Sequence, residues 1–355
     1  MNMNIQQLLE LCVNKQASDL HLIAGYHPQL RIHGDLVTIS GTPILTSHDI
    51  ETLVMPILNP VQKKLFEESW ELDLGISFSA QARFRVNLYK QKSGVAGAFR
   101  LIPNKIRSLN ELGLPETIVK LTELKQGLVL VTGPTGHGKS TTLASLINQI
   151  NMTHPMHILT VEDPIEYVYP SGKSLISQRE VNTDTKTFAS ALKYALREDP
   201  DVVLIGEMRD LETISAAMTI AETGHLVLAT LHTNSASQTI DRIIDVFPEH
   251  QQPQIRTQLA AVIEVVISQR LIPTIIPGRV LGYEILYGVP ALRAIIREGK
   301  THLIDNLIQT SAEFGMVSLE SSLAKLVKEG KINMEVAKNY SLRPQVLSKL
   351  LGGGY

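Results

Sequence analysis

Residues 127–147 read Gly127-Leu128-Val129-Leu130-Val131-Thr132, then Gly133-Pro134-Thr135-Gly136-His137-Gly138-Lys139-Ser140-Thr141, then Thr142-Leu143-Ala144-Ser145-Leu146-Ile147. The first block is apolar and β-prone and predicts a buried strand; the last has helical periodicity. Between them stands the spacing G-x-x-x-x-G-K-[ST] of a phosphate-binding loop. A strand–loop–helix unit of this kind aims backbone N–H groups and a helix N-terminus at a polyphosphate. Gly133, Pro134, Thr135, Gly136, His137, Gly138, Lys139, Ser140 and Thr141 are therefore candidate nucleotide contacts. Lys139 is expected to reach the β- and γ-phosphates, and the Ser140 hydroxyl to help hold Mg²⁺. The stretch implies a nucleoside triphosphate such as ATP as ligand.

Outward from this unit, apolar strand-like runs at 157–161, 202–206 and 226–231 alternate with helical stretches. That alternation predicts an α/β fold with a parallel sheet covered on both faces, its ligands at the carboxyl ends of the strands. From about Pro290 the chain reads as helical, with apolar stripes at Leu303, Leu307, Leu319, Leu323 and Leu326, and Gly352-Gly353-Gly354 as a flexible tail. The first ~100 residues read as a smaller α+β module. It begins with an amphipathic helix around Ile5–Val13 and continues with strand-like segments near 18–23 and 28–36. A helix over 47–68, interrupted at Pro56 and Pro60, precedes strands at 72–79, 83–90 and 94–101. Ile102 to Asn110 lacks a sustained period and serves as a linker candidate.

Three later clusters narrow the chemistry. Leu196-Arg197-Glu198-Asp199-Pro200-Asp201 leads into Val202-Val203-Leu204-Ile205-Gly206-Glu207-Met208-Arg209-Asp210, which puts a carboxylate at the mouth of a buried strand. Glu207 is placed there to polarise an attacking water; the plainer reading makes it a salt-bridge partner of Arg209. Leu159-Thr160-Val161-Glu162-Asp163-Pro164-Ile165-Glu166-Tyr167 sets three carboxylates after a strand. They suit Mg²⁺ through waters, or form a solvated acidic turn, and the residues alone do not say which carboxylate faces a metal. Gly224-His225-Leu226-Val227-Leu228-Ala229-Thr230-Leu231-His232-Thr233-Asn234 brackets a strand with two histidines. Either imidazole could sense a γ-phosphate or simply pack, but one at each end of a strand cannot share a zinc ion. In the small module, Arg83-Phe84-Arg85 sets two guanidinium groups on one face of a strand, as solvated surface arginines or as a pair for phosphate oxygens.

Bulk composition bounds the classes. The 355 residues exceed one typical domain, and 44% hydrophobic with 19% charged residues describes a folded protein. A net charge of −2 and no aromatic–basic stretch argue against a nucleic-acid translocase. Cys12, the single cysteine, excludes an internal disulfide and a cysteine-rich zinc site, and its helical setting predicts a buried thiol. No apolar run approaches the ~20 residues of a membrane span and no secretory signal is present, so a cytoplasmic location is expected.

With these clusters in hand, the chain resembles the secretion and type IV pilus ATPase family, above all its pilus retraction (twitching motility) branch. The resemblance runs through nearly the whole sequence. It includes Ala17-Ser18-Asp19-Leu20-His21-Leu22, the phosphate loop, Glu162 to Glu166, the Leu196–Asp210 run and the histidine box. It implies a PAS-like domain over 1–101, a linker at 102–112 and a RecA-like ATPase domain over 113–355. It further implies a homohexameric ring that hydrolyses ATP with Mg²⁺ and acts on an inner-membrane pilus platform protein, with a paralogous retraction ATPase as a further partner. Such a ring is cytoplasmic and peripheral to the inner membrane. On this basis Glu207, Lys139, Glu166, His232, Arg83 and Arg85 are the expected catalytic set, and Arg83 and Arg85 become nucleotide sensors. His225 is expected among the nucleotide contacts, and Ser140, Glu162 and Asp163 around the metal.

Extension and type II secretion ATPases resembling this chain add an N-terminal domain and a tetracysteine motif, neither expected here. Residues 291–300 resemble the helix that couples hydrolysis to pulling, with departures at Leu292 and Ala294. Those departures leave room for a retraction paralogue or a type IVB secretion ATPase; a type II-like secretion ATPase and a non-hydrolysing regulatory ring subunit are the further alternatives. His137 stands where the family usually has a small residue; it is expected to point outward while the backbone amides bind phosphate, and so to be tolerated there and to modulate affinity or neighbour contacts.

Overall fold

The computed structural model describes residues 4–32, 34–79, 82–103 and 105–352. The chain divides into two units. The first runs to Ile106 and also takes residues 162–168 and 178–187; the second takes residues 107–161, 169–177 and 188–355.

In the first unit, apolar side chains at Ile5, Leu8, Leu9 and Cys12 share one face of α1 (Ile5–Asn14) and are buried. Asn4 and Gln7 start that helix as a reciprocal cap, Asn4 Oδ1 accepting from the Gln7 N–H at 2.9 Å and Gln7 Oε1 from the Asn4 N–H at 3.2 Å. Then come β1 (Asp19–Leu22), β2 (Gln29–Ile32), β3 (Asp35–Thr38), α2 (Ser47–Val54), α3 (Pro60–Ser69), β4 (Glu71–Ser79), β5 (Ala82–Gln91) and β6 (Gly94–Pro103). The helix expected over 47–68 is two helices. α2 stops at Val54, a short 3₁₀ turn carries Pro56, and Pro60 opens α3 behind the Asn59 cap, where its missing N–H costs nothing.

The strands form a sheet in the order β3-β2-β1-β6-β5-β4, with every pair antiparallel. Period-two alternation along β5 buries Phe84, Val86 and Leu88 in the unit's core and turns Arg83 and Arg85 to the other face. β6 runs on to Pro103, so the first two residues of the stretch read as linker are strand, and Leu109 lies in the second unit's core.

The second unit is built on β7 (Gly127–Thr132), α4 (Lys139–Thr153), β8 (His157–Glu162), β9 (Leu175–Glu180), α5 (Phe188–Ala195), β10 (Val202–Ile205), α6 (Leu211–Glu222), β11 (Leu226–Leu231), α7 (Ala236–Asp245), α8 (Gln252–Val262), β12 (Ile263–Pro273) and β13 (Arg279–Tyr287), although the last residue of β8 and the last three of β9 belong to the first unit's set. Strand order is β13-β12-β7-β11-β10-β8-β9. β12, β7, β11, β10 and β8 pair in parallel, and every residue of β7, β10 and β11 is buried, as a sheet covered on both faces requires. The parallel sheet expected from the alternation is therefore present at the centre. At one edge it gives way to an antiparallel pair, β12–β13, which no βα alternation marks.

Helices α9 (Pro290–Arg297), α10 (Ile304–Thr310), α11 (Leu319–Lys328), α12 (Met334–Tyr340) and α13 (Pro344–Leu350) complete the unit. Leu319, Leu323 and Leu326 form a second small core with Ile272, Ile332, Ala337 and Leu347, whereas Leu303 stays 39% exposed and outside it. Leu292, one of the departures noted above, is fully buried. Gly352 sits in a turn, and the rest of the tail lies outside the described residues. No helix among the described residues is long and apolar enough to cross a membrane.

Candidate functional site

The phosphate loop leaves the carboxyl end of β7 and enters α4 as its sequence requires. Gly138 caps the helix at φ +83°, a left-handed conformation, and offers no side-chain acceptor to the first turn. The helix N-terminus therefore keeps its amide dipoles for an anion. Gly133, at φ +143°, is needed for close approach: a Cβ there would fall 2.3 Å from the carbonyl oxygen of Gln269 on β12. Lys139 is buried, and its Nζ donates to the carbonyls of Gly133 at 2.8 Å and Pro134 at 3.2 Å. The ammonium is thus parked on the loop it would leave for a phosphate.

Two parallel strands bring the remaining chemistry to the same sheet end. After β10, the Gly206 N–H donates to Val161 O at 2.8 Å, and Gly206 O accepts from Thr230 Oγ1 of β11 at 2.6 Å. The Met208 N–H donates to Thr230 O at 3.0 Å, so Glu207 is held between two backbone ties. Asp210, next along, caps α6 through its bond from the Thr213 N–H.

Glu207 has two partners, Arg209, which its sequence context offered, and His232, which it did not. One carboxylate oxygen pairs with Arg209, the other with His232 Nε2 at 3.0 Å. His232 Nδ1 in turn lies 3.3 Å from Lys139 Nζ and 3.3 Å from Thr135 Oγ1. An ammonium only donates, so Nδ1 is the acceptor and the proton sits on Nε2, aimed at Glu207. Lys139, His232 and Glu207 thus form one hydrogen-bonded line at the carboxyl ends of the strands.

The acidic box belongs to the first unit's residue set, together with the two arginines. Glu162 is buried and accepts from Gln178 Nε2 at 3.2 Å. Arg83 donates to Ile165 O at 3.3 Å, and Glu180 Oε2 accepts from the Ile165 N–H at 3.0 Å. Arg83 and Glu180, 4.0 Å apart and both mostly buried, therefore hold the carbonyl and the N–H of one residue of the box, Ile165. Arg85 pairs with Asp73 at 2.8 Å and with Glu166 at 3.8 Å. Of the two readings the sequence left open for these arginines, solvated surface groups do not describe them: both guanidinium groups lie against carboxylates of their own unit. Asp163 lies between Glu162 and Pro164 in the same box, and Ser140 lies in the second unit on the first turn of α4. Among the described residues no three His, Cys, Asp or Glu side chains gather to hold a metal on their own. A Mg²⁺ that rides on nucleotide oxygens and water needs no such cage, so a Ser140 hydroxyl beside the loop fits it.

Two expectations about histidines change. His225 precedes β11 at the end where the strand begins, with its Nδ1 near Thr223 Oγ1 at 3.2 Å and Ile220 O at 3.1 Å. The strand's six residues put it ~20 Å from His232, and this chain does not bring it to its own phosphate loop. His137 does not point outward: its Nδ1 accepts from the Leu271 N–H of β12 at 3.0 Å. Burial pulls its pKa below the usual histidine value, and the charges of Arg270, Lys139 and Arg279 act in the same direction.

Residues that sequence reasoning passed over also converge here. Gln269, 1% exposed, donates to His137 O at 2.8 Å and accepts from Thr142 Oγ1 at 2.9 Å. The polar Ser268-Gln269-Arg270 at the end of an apolar run was its signal in the sequence. Glu284, on β13, accepts from the first amide of α7, Ala236 N–H, at 2.8 Å, just after the histidine box. Arg343 pairs with Glu284 at 3.3 Å, Glu320 at 3.3 Å and Asp305 at 3.1 Å. Burial pushes the Glu284 pKa up, while the Ala236 amide and Arg343 work against that.

A family model described as type II/IV secretion system protein matches residues 1–313. The type IV pilus retraction ATPase PilT of Pseudomonas aeruginosa is 48% identical over 343 residues, which span 97% of this chain and 99% of that protein. Among solved structures, the pilus retraction motor PilT with bound ADP aligns at a TM-score of 0.90 and 45% identity, over 98% of this chain and 99% of that one. The ATPase DotB of Legionella pneumophila aligns at a TM-score of 0.84 and 28% identity, over 95% of each chain.

Proposed function

The chain belongs to the type II/IV secretion system protein family and is an ATPase of its type IV pilus retraction branch, and from that premise we propose how its residues share the reaction. Its fold is a RecA-like P-loop ATPase domain preceded by a small α+β domain. The observation that supports the assignment of roles is the line from Lys139 through His232 to Glu207, set beside a helix N-terminus that lacks a side-chain cap.

In this reading ATP lies along residues 133–141, and Lys139 exchanges the Gly133 and Pro134 carbonyls for β- and γ-phosphate oxygens. Glu207 takes the proton of the attacking water as its oxygen bonds to the γ-phosphorus, and the bond to the bridging oxygen breaks to release ADP and phosphate. His232 loses the Lys139 donor from Nδ1 when the loop fills, which makes its orientation a report on occupancy. Ser140 would hold Mg²⁺, and the ion would neutralise charge on the phosphate oxygens when bound. Arg83, Arg85 and Glu166 shape the acidic box, and either arginine would reach a nucleotide only by exchanging its present carboxylate for phosphate.

We propose a PAS-like domain over 1–101, a linker at 102–112 whose first two residues close β6 and whose Leu109 packs on the second core, and an ATPase domain over 113–355. We also propose a homohexamer that works on an inner-membrane pilus platform protein from the cytoplasmic side, alongside a paralogous retraction ATPase. The 48% identity to a type IV pilus retraction ATPase over 97% of this chain, against 35% to a type II secretion system protein E over 76% of it, favours pilus retraction over export.

Deletion of the gene, complemented with wild type or with Lys139→Ala, tests the reading. Twitching motility restored by wild type and not by Lys139→Ala is expected. Motility that survives deletion of this gene together with any paralogue refutes it, as does purified wild-type protein that turns over no ATP.

A further inference from the structure

β12 outruns its neighbour. Its pairing with β7 ends at Ser268 opposite Thr132, yet the strand continues to Pro273. Beyond Ser268, the edge that β7 no longer covers faces the phosphate loop. An uncovered strand edge carries backbone groups that need partners. The loop supplies them. At its start Gly133 packs against the Gln269 carbonyl, so closely that no Cβ fits. At its far end the Leu271 N–H donates to His137 Nδ1 at 3.0 Å, and Gln269 Nε2 donates to His137 O at 2.8 Å. Gln269 also accepts from Thr142 Oγ1 on α4 at 2.9 Å, which fixes the amide's orientation and hence its grip on the loop.

We propose that His137 is a positioning residue for nucleotide binding: its imidazole stands in for the missing strand, tying the tip of the phosphate loop to β12 in the phosphate-accepting conformation. A small residue at this position could keep the carbonyl bond from Gln269 but could not offer the acceptor that Leu271 uses. The imidazole touches no substrate in this arrangement; it acts through the loop backbone. A loop already held in its bound shape loses less conformational freedom when ATP arrives, so the effect falls on affinity more than on the chemical step. Protonated Nδ1 could not accept the Leu271 bond. The surrounding charges, Arg270 on β12, Arg279 on β13 and Lys139 on α4, are all cationic and oppose that protonation.

The inference rests on residues 133–141 being the ATP site. The test uses the full chain, titrated with a fluorescent ATP analogue, and steady-state phosphate release to separate KM from kcat. His137→Ala is expected to weaken binding and raise KM by ~3- to ~10-fold, the range for one lost hydrogen bond, with kcat changed less than twofold. His137→Asn places Oδ1 where Nδ1 stands and is expected to recover most of the loss. His137→Leu fills the volume without an acceptor and is expected to stay as weak as alanine. Thermal unfolding of each variant without nucleotide checks that it is folded. Leucine binding as tightly as asparagine, or alanine as tightly as wild type, overturns the role. Wild-type protein that binds no nucleotide sinks instead the assignment of the ATP site.

Discussion

Replacing Glu207 with Gln separates chemistry from architecture at this site. The side chain is 13% exposed and its two oxygens serve two donors, Arg209 on one and the His232 Nε2–H on the other. Glutamine keeps one acceptor. With that acceptor on His232, the new NH₂ faces Arg209, whose side chain is 69% exposed and can turn to water. Loss of an exposed ion pair is worth ~0–1 kcal/mol, so stability should change by no more than about 1 kcal/mol. Turnover loses its base, a contribution of ~10²- to ~10⁴-fold, or about 2.7–5.4 kcal/mol of activation free energy. Affinity for ATP should hold or rise, because Lys139 and the loop are intact and one negative charge beside the γ-phosphate is gone. Three measurements decide: steady-state phosphate release, equilibrium ATP binding, and thermal unfolding without ligand. Turnover within tenfold of wild type, in a variant that melts where wild type melts, would refute Glu207 as the base. A fall in melting temperature that accounts for the lost activity would make its bond to Arg209 the reason for its presence.

Gly133→Ala should lower stability by roughly 1–3 kcal/mol and abolish ATP binding, because the clashing atom, Gln269 O, is backbone and cannot swing aside; calorimetry and nucleotide titration read both effects. Arg343→Met leaves Glu284 and Glu320, 1% and 0% exposed, without their shared counter-ion. It should cost ~3–5 kcal/mol in urea unfolding, with Glu284→Gln in the same background recovering part of the loss. Burial pushes the Cys12 thiol from 9.0 to about 12. Native protein should therefore resist a thiol reagent at pH 8 and react only when denatured. Because the unfolded thiol ionises first, the native state's advantage from Cys12 is complete below about 9 and is lost as pH rises toward about 12.

The centre of the site was legible because its signals are local. A strand, a glycine-spaced loop and a helix are contiguous in sequence, and Glu207 and His232 each follow an apolar strand at the end where α/β sheets bind ligands. The same logic misled at His225, since an apolar run bracketed by histidines does not say which end of the strand is which until its direction is known. The carboxylate partners of Arg83 and Arg85 were not legible because they are remote. Glu180 lies far along the chain, and Asp73 becomes a neighbour only through the β4–β5 pairing. His137 was read outward since nothing near it in sequence reveals that β12 extends past β7. Glu284 and Arg343 were invisible for a related reason. A carboxylate in a strand and an arginine in a helical tail look like surface residues until burial brings them together.

β12 also places a parity constraint on the sequence around it. Gln269 and the Leu271 amide serve the phosphate loop, while Arg270 between them reaches the other way, its Nη1 donating to Tyr340 O at the end of α12 at 3.0 Å. One residue inserted or deleted upstream within the strand would exchange those faces, setting a guanidinium against the loop and an amide against the C-terminal helices. Beyond Val265, where the register irregularity near Ile263 can no longer absorb it, a single-residue change in β12 should therefore cost nucleotide binding. A frame of this kind couples the nucleotide site to the helices behind it, although the two share no catalytic residue.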